Sequence, residues 1–142
     1  MSDRELCKLV HALADPFRVV AHLQEDYDTL TSVNNYADSL FGLNRFEEAK
    51  SLLRKMIPVA RRVLAENDDL LFRMRMVYGL ALSKADGATL DDLREAVTTL
   101  EETERTGRRV FGGAHPLTGQ IENTLRMARE ALRARETSAG TG

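Results

Sequence analysis

Val33-Asn34-Asn35-Tyr36-Ala37-Asp38-Ser39-Leu40-Phe41-Gly42-Leu43-Asn44-Arg45-Phe46-Glu47-Glu48-Ala49 carries the pattern on which the fold turns. Val33, Tyr36, Ala37, Leu40 and Phe41 recur at the spacing of one apolar helix face. The pattern breaks at Gly42. It resumes with Phe46, Ala49, Leu52, Leu53, Met56, Ile57, Ala60, Val63 and Leu64. Asn44 followed by Glu47 places an oxygen-bearing cap three residues before an acid, the signature of a helix start. Two helices joined by a tight turn follow from these residues, and no segment of the chain alternates as a strand does.

The same signals recur along the chain. Ser2 with Glu5 and Thr89 with Asp92 repeat the cap-to-acid spacing. Asp15-Pro16 and His115-Pro116 put proline at a first helical position, where its missing N–H costs nothing. Gly42, Gly87 and Gly112-Gly113 mark stops and turns. Together they predict seven helices, over about 3–13, 16–24, 29–42, 45–65, 69–84, 90–111 and 116–135. Pro58 removes a backbone bond inside the fourth and is expected to kink it near Arg54. The small, polar residues 137–142 are expected to form a disordered tail.

The chain also repeats itself. Tyr36-Ala37 returns as Tyr78-Gly79, and Phe46-Glu47-Glu48-Ala49 returns as Leu93-Arg94-Glu95-Ala96. Leu53 maps onto Leu100, and Arg61-Arg62-Val63-Leu64 onto Arg108-Arg109-Val110-Phe111. The unit is a helix A, a turn and a longer helix B, about 42 residues in all. Ala37, Gly79, Ala49 and Ala96 are small where A and B must approach closely. A two-helix unit cannot bury its apolar face alone, so neighbouring units must stack.

These residues resemble a tetratricopeptide repeat of the long, kinesin-light-chain type. The resemblance rests on Thr29-Leu30-Thr31-Ser32-Val33-Asn34-Asn35-Tyr36-Ala37, on Asn44-Arg45-Phe46-Glu47-Glu48-Ala49, and on Gly113-Ala114-His115-Pro116-Leu117-Thr118. It implies an all-α, right-handed superhelix of antiparallel helix pairs. Residues 1–27 are then a degenerate helical cap and 28–136 the repeat domain. Within that domain lie repeat 1 (28–68), repeat 2 (69–115) and a partial repeat or capping helix (116–136). The sequence departs from the family at Met56, where helix B usually has alanine, and at Arg126, a usually small position of helix A. The family's N-terminal heptad coiled coil is absent, which speaks against a motor-subunit role.

Composition excludes several function classes. The 142 residues carry 20 Lys plus Arg and 22 Asp plus Glu, a net charge of −2 that offers no basic excess for nucleic acid. A single cysteine, Cys7, permits no internal disulfide and points to a reducing compartment. No apolar run reaches the ~18–20 residues of a membrane span. The acidic start Met1-Ser2-Asp3-Arg4-Glu5 is unlike a secretory leader. A cytoplasmic protein without membrane or nucleic-acid contacts is expected.

Candidate chemistry is sparse. Cys7 and His11 sit one turn apart, but Cys7 joins Leu6, Leu9, Val10 and Leu13 on the apolar side and nothing nearby orients His11. His11, His22 and His115 are isolated, without ligand spacing for a metal. The segment Asp86-Gly87-Ala88-Thr89-Leu90-Asp91-Asp92 fails as a calcium loop, because Leu82, Lys84 and Leu93 occupy its ligand positions. Gly112-Gly113 lacks the Lys-Ser/Thr of a phosphate loop. Arg61-Arg62 and Arg108-Arg109 form either a basic ladder or an ordinary solvated face. No catalytic, cofactor or metal residue is assigned, and the expectation is a chain that is not an enzyme.

The resemblance implies instead a concave groove lined by the A helices that holds a partner peptide. Carried over position by position, it assigns Asn34, Asp38 and Phe41 with Thr31 from the first unit. It assigns Arg73, Met76 and Leu80 with Ser83 from the second, and Asn123, Arg126 and Arg129 with Gln120 from the third. Asn34 and Asn123 suit a peptide backbone, having both donor and acceptor. The arginines suit an acidic side chain or terminal carboxylate. The implied function is a protein-interaction scaffold for an acidic peptide. The alternative is a structural subunit or fragment of a larger repeat assembly, oligomeric through exposed repeat ends.

Overall fold

The computed structural model describes residues 27–65 and 68–141. Those residues form five helices and no strand: α1 (Tyr27–Gly42), α2 (Phe46–Val63), α3 (Asp69–Lys84), α4 (Leu90–Val110) and α5 (Pro116–Thr141). The two helices expected over 3–13 and 16–24, with Cys7, His11 and His22, lie outside the described residues. Short connections fold each helix back on the one before it. Successive helices pack together, and α3 also touches α1 and α5, whereas the backbones of α2 and α4 stay apart. Thus α1, α3 and α5 form one layer, and α2 and α4 form the other.

The apolar stripes read from the sequence supply one continuous core. Leu30, Val33, Ala37 and Leu40 of α1 meet Ala49, Leu53, Met56 and Ala60 of α2, Met74, Val77 and Leu82 of α3, and Ala96 and Leu100 of α4. Phe72, Leu117 and Ile121 make a second cluster beneath Phe111. Gly79 is required by space: a Cβ there would stand 2.7 Å from Cγ of Leu100, so α3 and α4 meet at a distance only glycine allows.

The helix ends show where local chemistry acts. Thr89 and Asp92 form the expected reciprocal capping box at the start of α4. Asp68 caps α3 by accepting the Leu70 N–H at 2.9 Å. Pro116 opens α5 as expected, and His115 Nδ1 accepts the Leu117 N–H at 3.1 Å. After α4 the chain turns at Gly112, whose φ of 88° is costly for other residues.

Two expectations are corrected. Asn44 does not cap α2. It takes a φ of 61°, and its N–H and that of Arg45 close onto the carbonyls of Phe41 and Leu40. Asn44 therefore serves the end of α1, in a left-handed conformation that asparagine tolerates, and Arg45 precedes α2 without a side-chain cap. The expected disordered tail is also replaced by helix, because α5 runs on to Thr141. No proline stands in its path, and Arg135 fastens the extension by donating to the Ala88 carbonyl at 2.9 Å.

One polar triad joins three helices. Tyr78 of α3, buried to 6% exposure, donates its hydroxyl to Glu95 of α4. It accepts from Arg54 Nε of α2 at 3.0 Å, and Arg54 Nη2 reaches Glu95 Oε1 at 3.1 Å. Burial and then the bond to Glu95 push the Tyr78 pKa up, with Arg54 opposing them.

Two outcomes follow for stability. Gly79→Ala should lower the urea unfolding free energy by roughly 1–3 kcal/mol, the usual cost of overpacking. Tyr78→Phe should remove about 1 kcal/mol at neutral pH. The folded chain disfavours ionised Tyr78, so its contribution is complete below the ordinary tyrosine value of about 10 and is lost as pH rises through the raised one. Urea midpoints measured across the alkaline range should therefore decline less steeply in Tyr78→Phe than in the wild type.

Candidate functional site

Between α1 and α3 lies a cleft of about 420 Å³. Tyr27, Thr31, Asn34, Asn35 and Asp38 line it from α1, and Asp69, Leu70, Arg73, Met76 and Val77 line it from α3. Spacings of three and four residues put each set on one helix face. Leu70 and Val77 are buried and give the cleft an apolar floor. Thr31, Met76 and the exposed Asp38 and Arg73 stand above it.

The polar groups are unevenly satisfied. Arg73 Nε lies 3.6 Å from Asp69 Oδ2, an ion pair one helical turn long. Tyr27 donates its hydroxyl to Asp68 Oδ1 at 3.2 Å. The Tyr27 pKa is pushed up, first by desolvation and then by the charges of Asp68, Asp69 and Asp28. Thr31 donates to the Tyr27 carbonyl at 3.3 Å. Asn34 differs from these: it is 5% exposed, and its buried Oδ1 has no hydrogen-bond donor among the described residues. A buried acceptor left in that state costs about 1–3 kcal/mol.

The cleft brings together four of the residues assigned from sequence, Asn34, Asp38, Arg73 and Met76, with Thr31 beside them. The others lie elsewhere. Phe41 stacks edge-on against Phe46 at 5.1 Å, with Lys84 over its ring at 5.5 Å. Leu80 is half-buried further along α3. Asn123 is exposed and accepts from Arg126, and Arg129 stands 3.8 Å from Glu101 of α4. These three lie on α5, which touches α3 but not α1. Tyr27 and Asp69 escaped the sequence reading, although each lies four residues before an assigned position, Thr31 and Arg73, and so one turn along the same face.

The repeated arginine pairs have unlike surroundings. Arg61 and Arg62 are exposed, whereas Arg108 bonds both Glu104 of its own helix and Glu122 of α5. Among the described residues, no group of three His, Cys, Asp or Glu side chains is placed to hold a metal ion. Nor is any of their helices long and apolar enough to cross a membrane.

Residues 29–68, which span α1, α2 and the connection to α3, match the tetratricopeptide repeat family model. No curated protein and no solved structure matches the chain.

If the unpartnered amide costs stability, removing it should restore some. Asn34→Leu, of the same branched shape and able to join the apolar floor, should raise the unfolding free energy by about 1 kcal/mol. An unchanged or lower urea midpoint would show that Oδ1 is already satisfied.

Proposed function

We propose that this chain is a non-catalytic protein-interaction module whose α1–α3 cleft holds an extended segment of a partner protein. The observation that supports the reading is Asn34: a buried amide whose Oδ1 has no donor, lining a cleft with an apolar floor. An extended peptide supplies the missing donor as a backbone N–H, and the same amide can donate in return. Tetratricopeptide repeats generally mediate protein–protein contacts, and the matched residues 29–68 include the α1 wall of the cleft.

The finer reading keeps the division into repeats 28–68 and 69–115, a partial repeat at 116–136 and a cap at 1–27. It takes the repeats as the long, kinesin-light-chain-like type in a right-handed superhelix, with α1, α3 and α5 on the concave side, in a cytoplasmic protein. Phe41 and Leu80 would extend the cleft at one end, and Asn123, Arg126 and Arg129 would form a separate stretch on α5. An acidic peptide has weaker support, since Arg73, Arg126 and Arg129 each have an oxygen of this chain as a partner. The structural-subunit alternative has no contiguous apolar surface in its favour among the described residues. The exposed large hydrophobics Tyr27, Leu43 and Met127 stand on α1, in the α1–α2 turn and on α5.

Affinity capture from extract with the wild type and with Asn34→Leu plus Met76→Lys tests this reading. The double variant should retain the fold and lose at least about tenfold in partner recovery, equivalent to about 1.4 kcal/mol. Arg61→Ala, on the other layer, should capture as the wild type does. Equal recovery by all three would place binding outside the cleft. Size-exclusion mass separates the alternative, which requires an oligomer.

A further inference from the structure

Oxygen acceptors line much of the α1–α3 cleft. Two hydroxyl protons are already engaged within the chain, that of Tyr27 by Asp68 and that of Thr31 by the Tyr27 carbonyl. What these groups still offer is oxygen lone pairs. Asn34 adds its buried, unpartnered Oδ1. Asp38 is exposed and has no ion-pair partner among the described residues. Arg73, the one cation among the lining residues, is paired with Asp69. With Asp38 and Asp69 against Arg73, the lining carries a formal charge of −1, and Asp68 and Asp28 add their field at the Tyr27 end. Tyr27, 48% exposed, also presents an aromatic ring to the same space.

We infer that the α1–α3 cleft recognises a lysine or arginine side chain of the partner peptide, with Asp38 as its charge partner and the Tyr27 ring as an apolar rest, while Asn34 Oδ1 accepts from the peptide backbone. The inference depends on reading the cleft as a peptide site and adds the chemical class of the residue it selects. A cation is complementary to the charge of Asp38 and to the lone pairs that Thr31 and Tyr27 retain. A carboxylate would meet the charge of Asp38 and would have to share Arg73 with Asp69. The apolar floor of Leu70 and Val77 accepts the methylene stem that lysine and arginine share, while the charged head stays near the carboxylates at the rim. A cation over the face of tyrosine adds a further attraction.

Binding of the full chain to a synthetic peptide library tests this. The library holds one central position fixed in turn as Lys, Arg, acetyl-lysine, Gln and Glu, with randomised flanks, and is read by fluorescence anisotropy on the best binders. Pools fixed as Lys or Arg should bind at least about tenfold tighter than the Glu pool. Acetylation, which keeps the stem and removes the charge, should cost about fivefold or more. Asp38→Asn should narrow the gap between Lys and Glu, and Asp38→Lys should reverse it. Both substitutions are on an exposed side chain, and circular dichroism checks that the helices persist. Preference for Glu, equal binding of Lys and acetyl-lysine, or a Lys preference untouched by Asp38→Asn would each overturn the inference while leaving peptide binding intact. Binding of no pool above background would overturn the peptide reading as well.

Discussion

The close approach of α3 to its neighbours is the constraint from which the rest follows. Helix α3 touches α1, α2, α4 and α5. It buries Leu70, Leu71, Phe72, Met74, Val77, Tyr78, Gly79, Ala81 and Leu82, so apolar residues occupy nearly its whole circumference. A helix apolar all round belongs inside a protein. In a stack of hairpins only the middle A helix has neighbours enough to accept that. Gly79 lets α4 come within reach of one side, and the Arg54–Tyr78–Glu95 triad ties the same helix to both members of the other layer. The strip that remains, Arg73, Met76, Leu80 and Ser83, is exposed or half-buried and faces the space between the A helices. The cleft is the uncovered remainder of a helix otherwise enclosed.

Much of this architecture was legible because its signals are local. Thr89 with Asp92, Pro116 after His115, and Gly42 and Gly112 at helix ends each act within one turn, so spacing alone reveals them. Asn44 shows the limit of that logic. Asn followed three residues later by Glu fits a helix cap. The same asparagine also fits a left-handed turn residue, and which role prevails depends on where the N–H groups of Asn44 and Arg45 find acceptors. They find them on α1. Composition misled at the other end of the chain. Residues 137–142 look like a tail, yet the last turns of α5 have an anchor in Ala88, 47 residues before Arg135. Such a contact leaves no trace in the local sequence.

The site was legible in part for the same reason. The A-helix face follows from period, which is why Asn34, Asp38, Arg73 and Met76 meet in one cleft. What period does not reveal is how charges pair. The count of arginines on that face suggested an acidic ligand. The Arg73–Asp69 pair is visible in the sequence as an i, i+4 spacing, but the Arg129–Glu101 approach joins residues of two helices and depends on the packing. Exposed pairs of this kind contribute little to stability. Their consequence here is electrostatic: they give the arginines of the face acidic or amide partners, whereas Asp38 has no ion-pair partner among the described residues.

Repetition itself sets Asn34 apart. Repeats place one position in successive, nearly equivalent settings, so a side chain acquires a special role only where the units differ. Position 34 of the first unit corresponds to Met76 in the second and Asn123 in the third. Met76 is half-buried and apolar, and Asn123 is exposed with its oxygen bonded by Arg126. Only the first unit sets an amide at this position both out of water and without a donor. Folding alone would favour an apolar residue at 34, as the second unit has. An arrangement that forgoes stability at one copy of a repeated position, beside a cleft, is what the proposed peptide site requires of that residue.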